Sequence, residues 1–326
     1  MKHVSIVVPE TAIIEAVADP HYMFNAVNQF LIASGSPALF KVELVGFKKE
    51  IKLNGSAFTV HVDKLLKEVK KTDLIFIPAI SGDISTALSL NKKLVPWLIE
   101  QHALGAELAS LCIGAFLLAD TGLLSGKKCS THWNAANQFR SMFPDVELVD
   151  GSIITEERGI YSSGGANSYW SLLLHLVEKY TNRDTAILAS KYFAVDIDRN
   201  SQMAFAIFQG QKSHSDTLIL QAQQFIEDNI EAGLSVEELA DQFALGRRTF
   251  ERRFKQATNN TVLTYIHRVK MEVAKRSFEN GNKNVNEVMF EVGYTDTKSF
   301  RTIFKKVTGL SPAEYRNKYS KPRAIS

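Results

Sequence analysis

The sequence predicts an α/β domain followed by an all-α domain, and three observations carry that expectation. Short β-branched runs alternate with helical patterns through the first half of the chain. Beyond residue 216 every periodic segment reads as helix and none as strand. Charge is divided just as unevenly: residues 1–215 hold 20 Lys and Arg against 21 Asp and Glu, whereas residues 246–326 hold 18 against 7. A chain of 326 residues, 45% hydrophobic and 22% charged, is too long for one ordinary core and fits two folded domains.

In chain order, VSIVV (4–8) reads as a first buried strand and Tyr22–Ser34 as a helical stretch. FKVELVGF (40–47) and LIFIPAI (74–80) follow as strands, the second with the continuous apolar run of a sheet covered on both faces. ELASLC (107–112) is another strand, and AFLLADTG after it is helical. IITEERGIYSSGG (153–165) has the form of a hairpin ending in a glycine turn, and Tyr169–Tyr180 that of an amphipathic helix. Strands alternating with helices make a largely parallel sheet with helices on both faces. The pattern weakens between Arg183 and Asp216, and the polar stretch QGQKSHSD (209–216) reads as a linker. The division expected is therefore 1–208, a linker at 209–216, and 217–320.

Several classes of function find no support in the composition. Cys112 and Cys129 are the only cysteines, which is no disulfide framework and suits a reducing compartment. MKHVSIVVPE lacks the long apolar region of a secretory leader, and no apolar run is long enough to span a bilayer, so a cytoplasmic protein without membrane contact is expected. His102, His175 and His214 have no metal-ligand spacing, and Gly164-Gly165 is isolated from any phosphate-binding motif. Neither metal nor cofactor is implied.

The basic C-terminal region repeats itself. LSVEELADQFALGRRTFERRF (234–254) aligns with NVNEVMFEVGYTDTKSFRTIF (284–304). Val236, Leu239 and Phe243 match Val285, Val288 and Val292 at an offset of 49, whereas Phe250 and Phe254 match Phe300 and Phe304 at 50. The extra residue falls where a turn is expected, so each copy is helix, turn, helix. In the second helix of each copy the phenylalanines take helical spacing toward a core. Arg247, Arg248, Glu251, Arg252 and Lys255 face outward in the first copy, and Thr297, Lys298, Arg301, Thr302 and Lys305 in the second. A helix bearing guanidinium and ammonium groups suits the major groove of double-stranded DNA, where Arg bonds guanine bidentately and Lys reaches phosphate. Glu251 has two readings, an acceptor for a cytosine amino group or a partner for a neighbouring Arg. Val262–Glu279, between the copies, is a further helical stretch, long enough at about 27 Å to set two recognition helices nearly one turn of DNA apart.

Residues 217–319 resemble the AraC/XylS-type DNA-binding domain, most specifically in EVGYTDTKSFRTIFKKVTGLSPAEYR (291–316). By position the resemblance implies base-reading roles for Arg248, Glu251 and Arg252 in the first unit, with Arg247 beside them, and for Thr297, Lys298, Arg301 and Thr302 in the second. LASLCIGAFLLADTGLLSGKKCSTHW (108–133) and YSSGGANSYWSLLLHLVE (161–178) resemble the class I glutamine-amidotransferase-like, ThiJ/PfpI fold, a flavodoxin-like sheet that forms the sensor half of one AraC subgroup. Cys112 ends a strand before a small-residue helix start, a layout in which helix-terminal amides are expected to lower the thiol pKa. In enzymes of that superfamily a Cys works with a nearby His and a Glu, and His132 and Glu15 hold the corresponding positions. Ile113 departs from the pattern of peptidase-like members, which place a His there, so no catalytic residue is expected.

The reading that results is a homodimeric transcription regulator, more often an activator in this family, with RNA polymerase as a partner. A small molecule, of amino-acid or amine type, would bind near Glu15, Cys112, Ile113 and His132. The alternative is a cysteine-dependent ThiJ/PfpI-type enzyme, acting on an amide, aldehyde or nitrile, with a DNA-binding appendage. The residues leave the sign of regulation open, and Cys112 itself has the further reading of a small buried hydrophobe.

Overall fold

The computed structural model describes residues 1–197, 201–208, 210–212, 214–281 and 283–320. It divides into two compact units, Met1–Gln202 and Met203–Ser326. Gln209 and Ser213, within the stretch read as a linker, lie outside the described residues.

The first unit is built on a seven-stranded sheet. Its elements run β1 (Lys2–Val7), α1 (Ile14–Ala33), β2 (Phe40–Gly46), a hairpin of β3 (Glu50–Leu53) and β4 (Phe58–His61), then β5 (Lys64–Leu65) and β6 (Leu74–Ile77). Helices α2 (Ile84–Asn91) and α3 (Leu94–Ala103) lead to β7 (Glu107–Ser110) and α4 (Ala115–Asp120). There follow β8 (Lys128–Cys129), α5 (Ala136–Met142), β9 (Glu147–Leu148), β10 (Ile154–Glu157), β11 (Ile160–Ser163), α6 (Tyr169–Tyr180) and α7 (Arg183–Phe193). The sheet order is β10-β11-β7-β6-β1-β2-β5, parallel throughout except for the hairpin edge strand β10. Alternation along the strands sends Val4, Ile6, Leu74 and Phe76 to one face, under α1, α6 and α7. Val7, Ile75 and Ile77 go to the other face, under α2 to α5. The sheet is thus covered on both sides, as its apolar runs imply.

Three readings need correction. Strand β7 stops at Ser110, before Cys112. The first helix begins at Ile14, not Tyr22, and carries Pro20 inside it. Pro20 costs one backbone hydrogen bond, but Ala16, Val17, Pro20, Met23 and Phe24 form one buried face, and their packing outweighs the lost bond. Residues 183–193, where periodicity weakens, form α7, which buries only Ala186 and Ala189.

The second unit is helical: α8 (Thr217–Asp228), α9 (Val236–Gln242), α10 (Arg247–Thr258), α11 (Val262–Asn280), α12 (Val285–Glu291), α13 (Thr297–Thr308) and α14 (Pro312–Tyr319). A short 3-10 turn at Met203–Phe205 precedes them. Two small cores lie side by side along α11. Phe250, Phe254, Tyr265 and Val269 belong to the first, and Met271, Phe278, Phe300, Phe304 and Tyr315 to the second. Among the described residues no helix is long and apolar enough to cross a membrane.

Candidate functional site

The two helix pairs of the second unit are alike in detail. Each first helix has 7 residues and each second helix 12. Ser235 and Asn284 form capping boxes with Glu238 and Glu287, satisfying backbone donors at the same place in both copies. The copies differ in the turn, which is one residue longer in the second, as the change of offset requires. Phe250, Phe254, Phe300 and Phe304 are all fully buried. They fix the rotation of α10 and α13, so Arg247, Arg248, Glu251, Arg252 and Lys255 on one helix and Lys298, Arg301, Thr302 and Lys305 on the other are exposed. Thr297 is only half-buried, because it starts α13 against the preceding turn. Of the two readings of Glu251, pairing is the one present: its carboxylate lies 3.6 Å from Arg247 Nε, and Arg247 also reaches Glu237 at 3.5 Å. Arg253, in the same cationic run, is different in kind. Its guanidinium forks onto Asp216 at 2.6 and 3.0 Å, and this pairing holds the Asp216 carboxyl below the usual range. Asp216 also caps α8, so Arg253 ties α10 to α8.

The structure extends the repeat beyond what sequence comparison found. Thr258 and Thr308 bond back to Phe254 and Phe304 and receive the N–H of Asn260 and Leu310. Thr261 and Ser311 then cap α11 and α14. Tyr265 and Tyr315, fifty positions apart, donate to Glu227 and Glu279. The signal for this was present in the 50-residue offset of Thr-x-Asn-Thr and Thr-x-Leu-Ser, but it rests on side-chain-to-backbone bonds that carry no hydrophobic period.

In the first unit the candidate residues collect at the carboxyl ends of the parallel strands, where an open α/β sheet leaves its crevice. Glu15 is exposed in the first turn of α1, after β1. Cys112 follows β7 with a left-handed φ of 54°, a conformation a non-glycine residue adopts only when its surroundings hold it there. The holding bonds are its own N–H to Ser163 Oγ at 3.3 Å and its carbonyl from Thr131 Oγ1 at 3.1 Å. Thr131 places His132, half-buried, in the neighbouring loop, with its ring 5.3 Å from that of Trp133. Ile113 is half-buried among the apolar residues of both faces of the sheet. Sequence reasoning missed Asp19 and Tyr169. Tyr169, buried, donates to Asp19 at 2.6 Å, and its hydroxyl titration is raised by burial, by Asp19, and by the nearby Glu15 and Cys112. Those four groups therefore share one electrostatic neighbourhood.

Comparison with known proteins decides the family. Residues 10–179 match the DJ-1/PfpI family. The chain belongs to the DJ-1/PfpI family. Residues 239–318 match a helix-turn-helix domain. Together the matches bear out the pairing of an AraC-type helix-turn-helix region with a ThiJ/PfpI-type region. The chain is similar to the HTH-type transcriptional regulator GbdR of Pseudomonas aeruginosa, 23% identical over 238 residues, covering 73% of this chain and 65% of GbdR. It is also similar to the HTH-type transcriptional regulator CdhR of Pseudomonas aeruginosa, 24% identical over 268 residues, covering 81% of this chain and 78% of CdhR. This chain therefore spans just under two thirds of the length of GbdR. In fold it is similar to a ThiJ/PfpI family protein from Pseudomonas syringae, with a TM-score of 0.51 at 15% identity, covering 74% of this chain and 90% of that one.

Within this DJ-1/PfpI unit the expected activation of the cysteine is absent. Burial pushes the Cys112 thiol up to about 12, against a smaller lowering by the Ile113 backbone N–H. The helix that was to supply the lowering amides, α4, has only 6 residues, and Cys112 itself is 4% exposed. Desolvation of the thiolate outweighs the backbone dipoles. Cys129 is likewise pushed up to about 12 by burial. Burial lowers the His132 pKa, and its Nδ1 accepts the Asn134 N–H at 3.1 Å, so the ring is neutral with the proton on Nε2. A neutral Nε2–H is a hydrogen-bond donor. Among the described residues no cluster of His, Cys, Asp and Glu is arranged to hold a metal ion.

Proposed function

We propose that this protein is a sequence-specific DNA-binding transcription regulator controlled by a small molecule bound in its DJ-1/PfpI unit. The observation that carries the reading is the matched pair of exposed cationic helices, α10 and α13, each locked in rotation by two buried phenylalanines. Arg247, Arg248, Glu251 and Arg252, with Thr297, Lys298, Arg301 and Thr302, form the duplex-facing set. Arg252 and Arg301 are the strongest candidates for bidentate guanine contacts, being exposed and without a carboxylate partner in any described ion pair. Glu251 holds Arg247 in place rather than reading a base. The names of GbdR and CdhR as transcriptional regulators support the same function. It acts as a homodimer in the cytoplasm, and as an activator that engages RNA polymerase.

The small-molecule site lies around Glu15, Cys112, Ile113 and His132, widened by Asp19 and Tyr169. Two carboxylates beside a neutral imidazole donor suit an amine or amino-acid derivative, the carboxylates facing the ammonium group and His132 Nε2–H an acceptor. The raised Cys112 pKa and Ile113 support binding over cysteine chemistry, so no residue is assigned a catalytic role.

The test is selection of duplexes from a random pool by the intact protein, followed by affinity measurement with Arg252→Ala and Arg301→Ala. Each substitution should cost about 1–3 kcal/mol and relax preference at one base position. Unchanged affinity and selectivity in both variants would reject these helices as the readers.

A further inference from the structure

The two helix-turn-helix copies are unequal in one place. Buried Ile219, Ala222 and Ile226 of α8 recur in α11 as Met271, Ala274 and Phe278, at an offset of 52. The next helices, α9 and α12, recur at 49. The difference lies in the connections: seven residues join α8 to α9, and four join α11 to α12. The longer connection, 229–235, turns back on itself through the Ala232 N–H, which donates to the Asn229 carbonyl at 3.1 Å. Its Ile230 packs against the cores of both copies.

The far side of this loop meets the second copy. The Ala232 carbonyl accepts from Lys270 Nζ at 3.2 Å. The Glu231 carbonyl lies so near Gly293 that a Cβ there would overlap its oxygen, and the same Cβ would fall 3.0 Å from Lys270 Nζ. Lys270 Nζ also stands 5.4 Å from the centre of the Tyr294 ring. That ring is 5.7 Å from Phe300, one of the two phenylalanines that fix the rotation of α13. Lys270 is 6% exposed, belongs to no ion pair among the described residues, and burial holds its pKa below the ordinary lysine range. An ammonium group buried against one carbonyl and one ring face is a poor source of stability, and methionine would fill the space at lower cost. What the ammonium supplies is direction, because its one hydrogen bond exists only while the loop is in place. The first copy has no counterpart: where the second has Gly293 it carries Ala244, which is exposed.

We propose that Lys270 is a positioning residue: with Gly293 it clamps the loop 229–233 of the first copy onto the turn of the second, and so holds α10 and α13 at one separation and phase. The chain then selects duplexes whose two read segments lie a fixed number of base pairs apart. That selection rests on the reading of α10 and α13 given above; the clamp itself does not. One more base pair between the segments shifts the second by about 3.4 Å and turns it by about 35°. Clamped helices cannot follow that change, whereas helices joined through α11 alone have the freedom to do so.

Two readouts on the intact protein test this. Spin labels at Lys255→Cys and Lys305→Cys, both exposed and fifty positions apart, report the separation of α10 and α13 without DNA. Cys112 and Cys129 are buried away from the label, and dilution with unlabelled chain confines the signal to one molecule. Pulsed dipolar spectroscopy should give a narrow distance distribution, and Lys270→Met should broaden it. On duplexes obtained by selection, the unlabelled wild-type chain should prefer the selected spacing over one longer by a base pair by about tenfold or more, and Lys270→Met should reduce that preference to about threefold or less. Should Lys270→Met fail to fold, Gly293→Ala takes its place: it keeps the ammonium group, drives the loop off the turn, and should produce the same two effects. An equal loss of affinity on both duplexes with the preference intact, or an unchanged distance distribution, would overturn the clamp. Absence of duplex binding by the wild-type chain would reject the reading helices and leave the distances to decide the clamp.

Discussion

A thiol pushed up to about 12 carries almost no thiolate at neutral pH, so Cys112 should react with iodoacetamide about a hundredfold more slowly than a free thiol, or slower still. Mass spectrometry of the time course reads this directly, and alkylation at the free-thiol rate would restore the cysteine-enzyme alternative. His132 gives a second test at the same scale. Burial lowers its folded pKa, while the unfolded chain keeps the ordinary value of about 6.5. Below that value the unfolded state binds a proton that the folded state resists, so stability is full above about pH 6.5 and falls with pH below it. Denaturant titrations between about pH 7.5 and 5 should show a shallower loss for His132→Gln. Some slope should remain, because burial lowers His267 in the same direction. An equal slope in both proteins would contradict the half-buried, neutral ring. That Cys112 follows a strand was legible in the motif, but the thiol pKa was not. A motif gives the dipoles near an atom, whereas burial depends on what the remote loops 131–133 and 163–165 place over it.

At the scale of elements, the repeat was read correctly because its core positions have both helical period and constant offset. The turns explain the rest. Gly293 takes a left-handed φ of 70° where the first copy places Ala244 at 50°, forty-nine residues earlier. An alanine there is strained, and it is exposed, so its methyl group contributes little to the core. Ala244→Gly should therefore stabilise the second unit by about 0.5–1 kcal/mol, net of the extra freedom glycine gives the unfolded chain. Thermal unfolding of the full chain checks it, and a loss of stability would mean the first turn is not under that strain. The elements that escaped the sequence reading fall into two kinds. Helix α1 was shortened because Pro20 reads as a boundary, although its ring is packed into the apolar face. The strands β3 and β4 and the helices α2 and α3 were passed over because they are short and carry weak periodicity, and tertiary packing supplies what local preference lacks.

For the whole molecule, charge is the property that sequence states most plainly. Residues 216–245 hold 7 Asp and Glu and no Lys or Arg, while residues 246–326 hold 18 Lys and Arg against 7 acids. The second unit is thus polar along its own chain, with α8 and α9 acidic and α10 and α13 presenting cations. Such a field draws a duplex to the cationic helices and repels it from the acidic ones. The parallel sheet and the helical region were legible from alternation and from the absence of strand patterns.

The salt dependence of duplex binding by the intact protein tests the central claim most directly. If each subunit neutralises about four phosphates, log K should fall against log salt with a slope near −7 for the dimer. A slope near zero would mean that the cations of α10 and α13 do not meet a phosphate backbone, and the regulator account would fail.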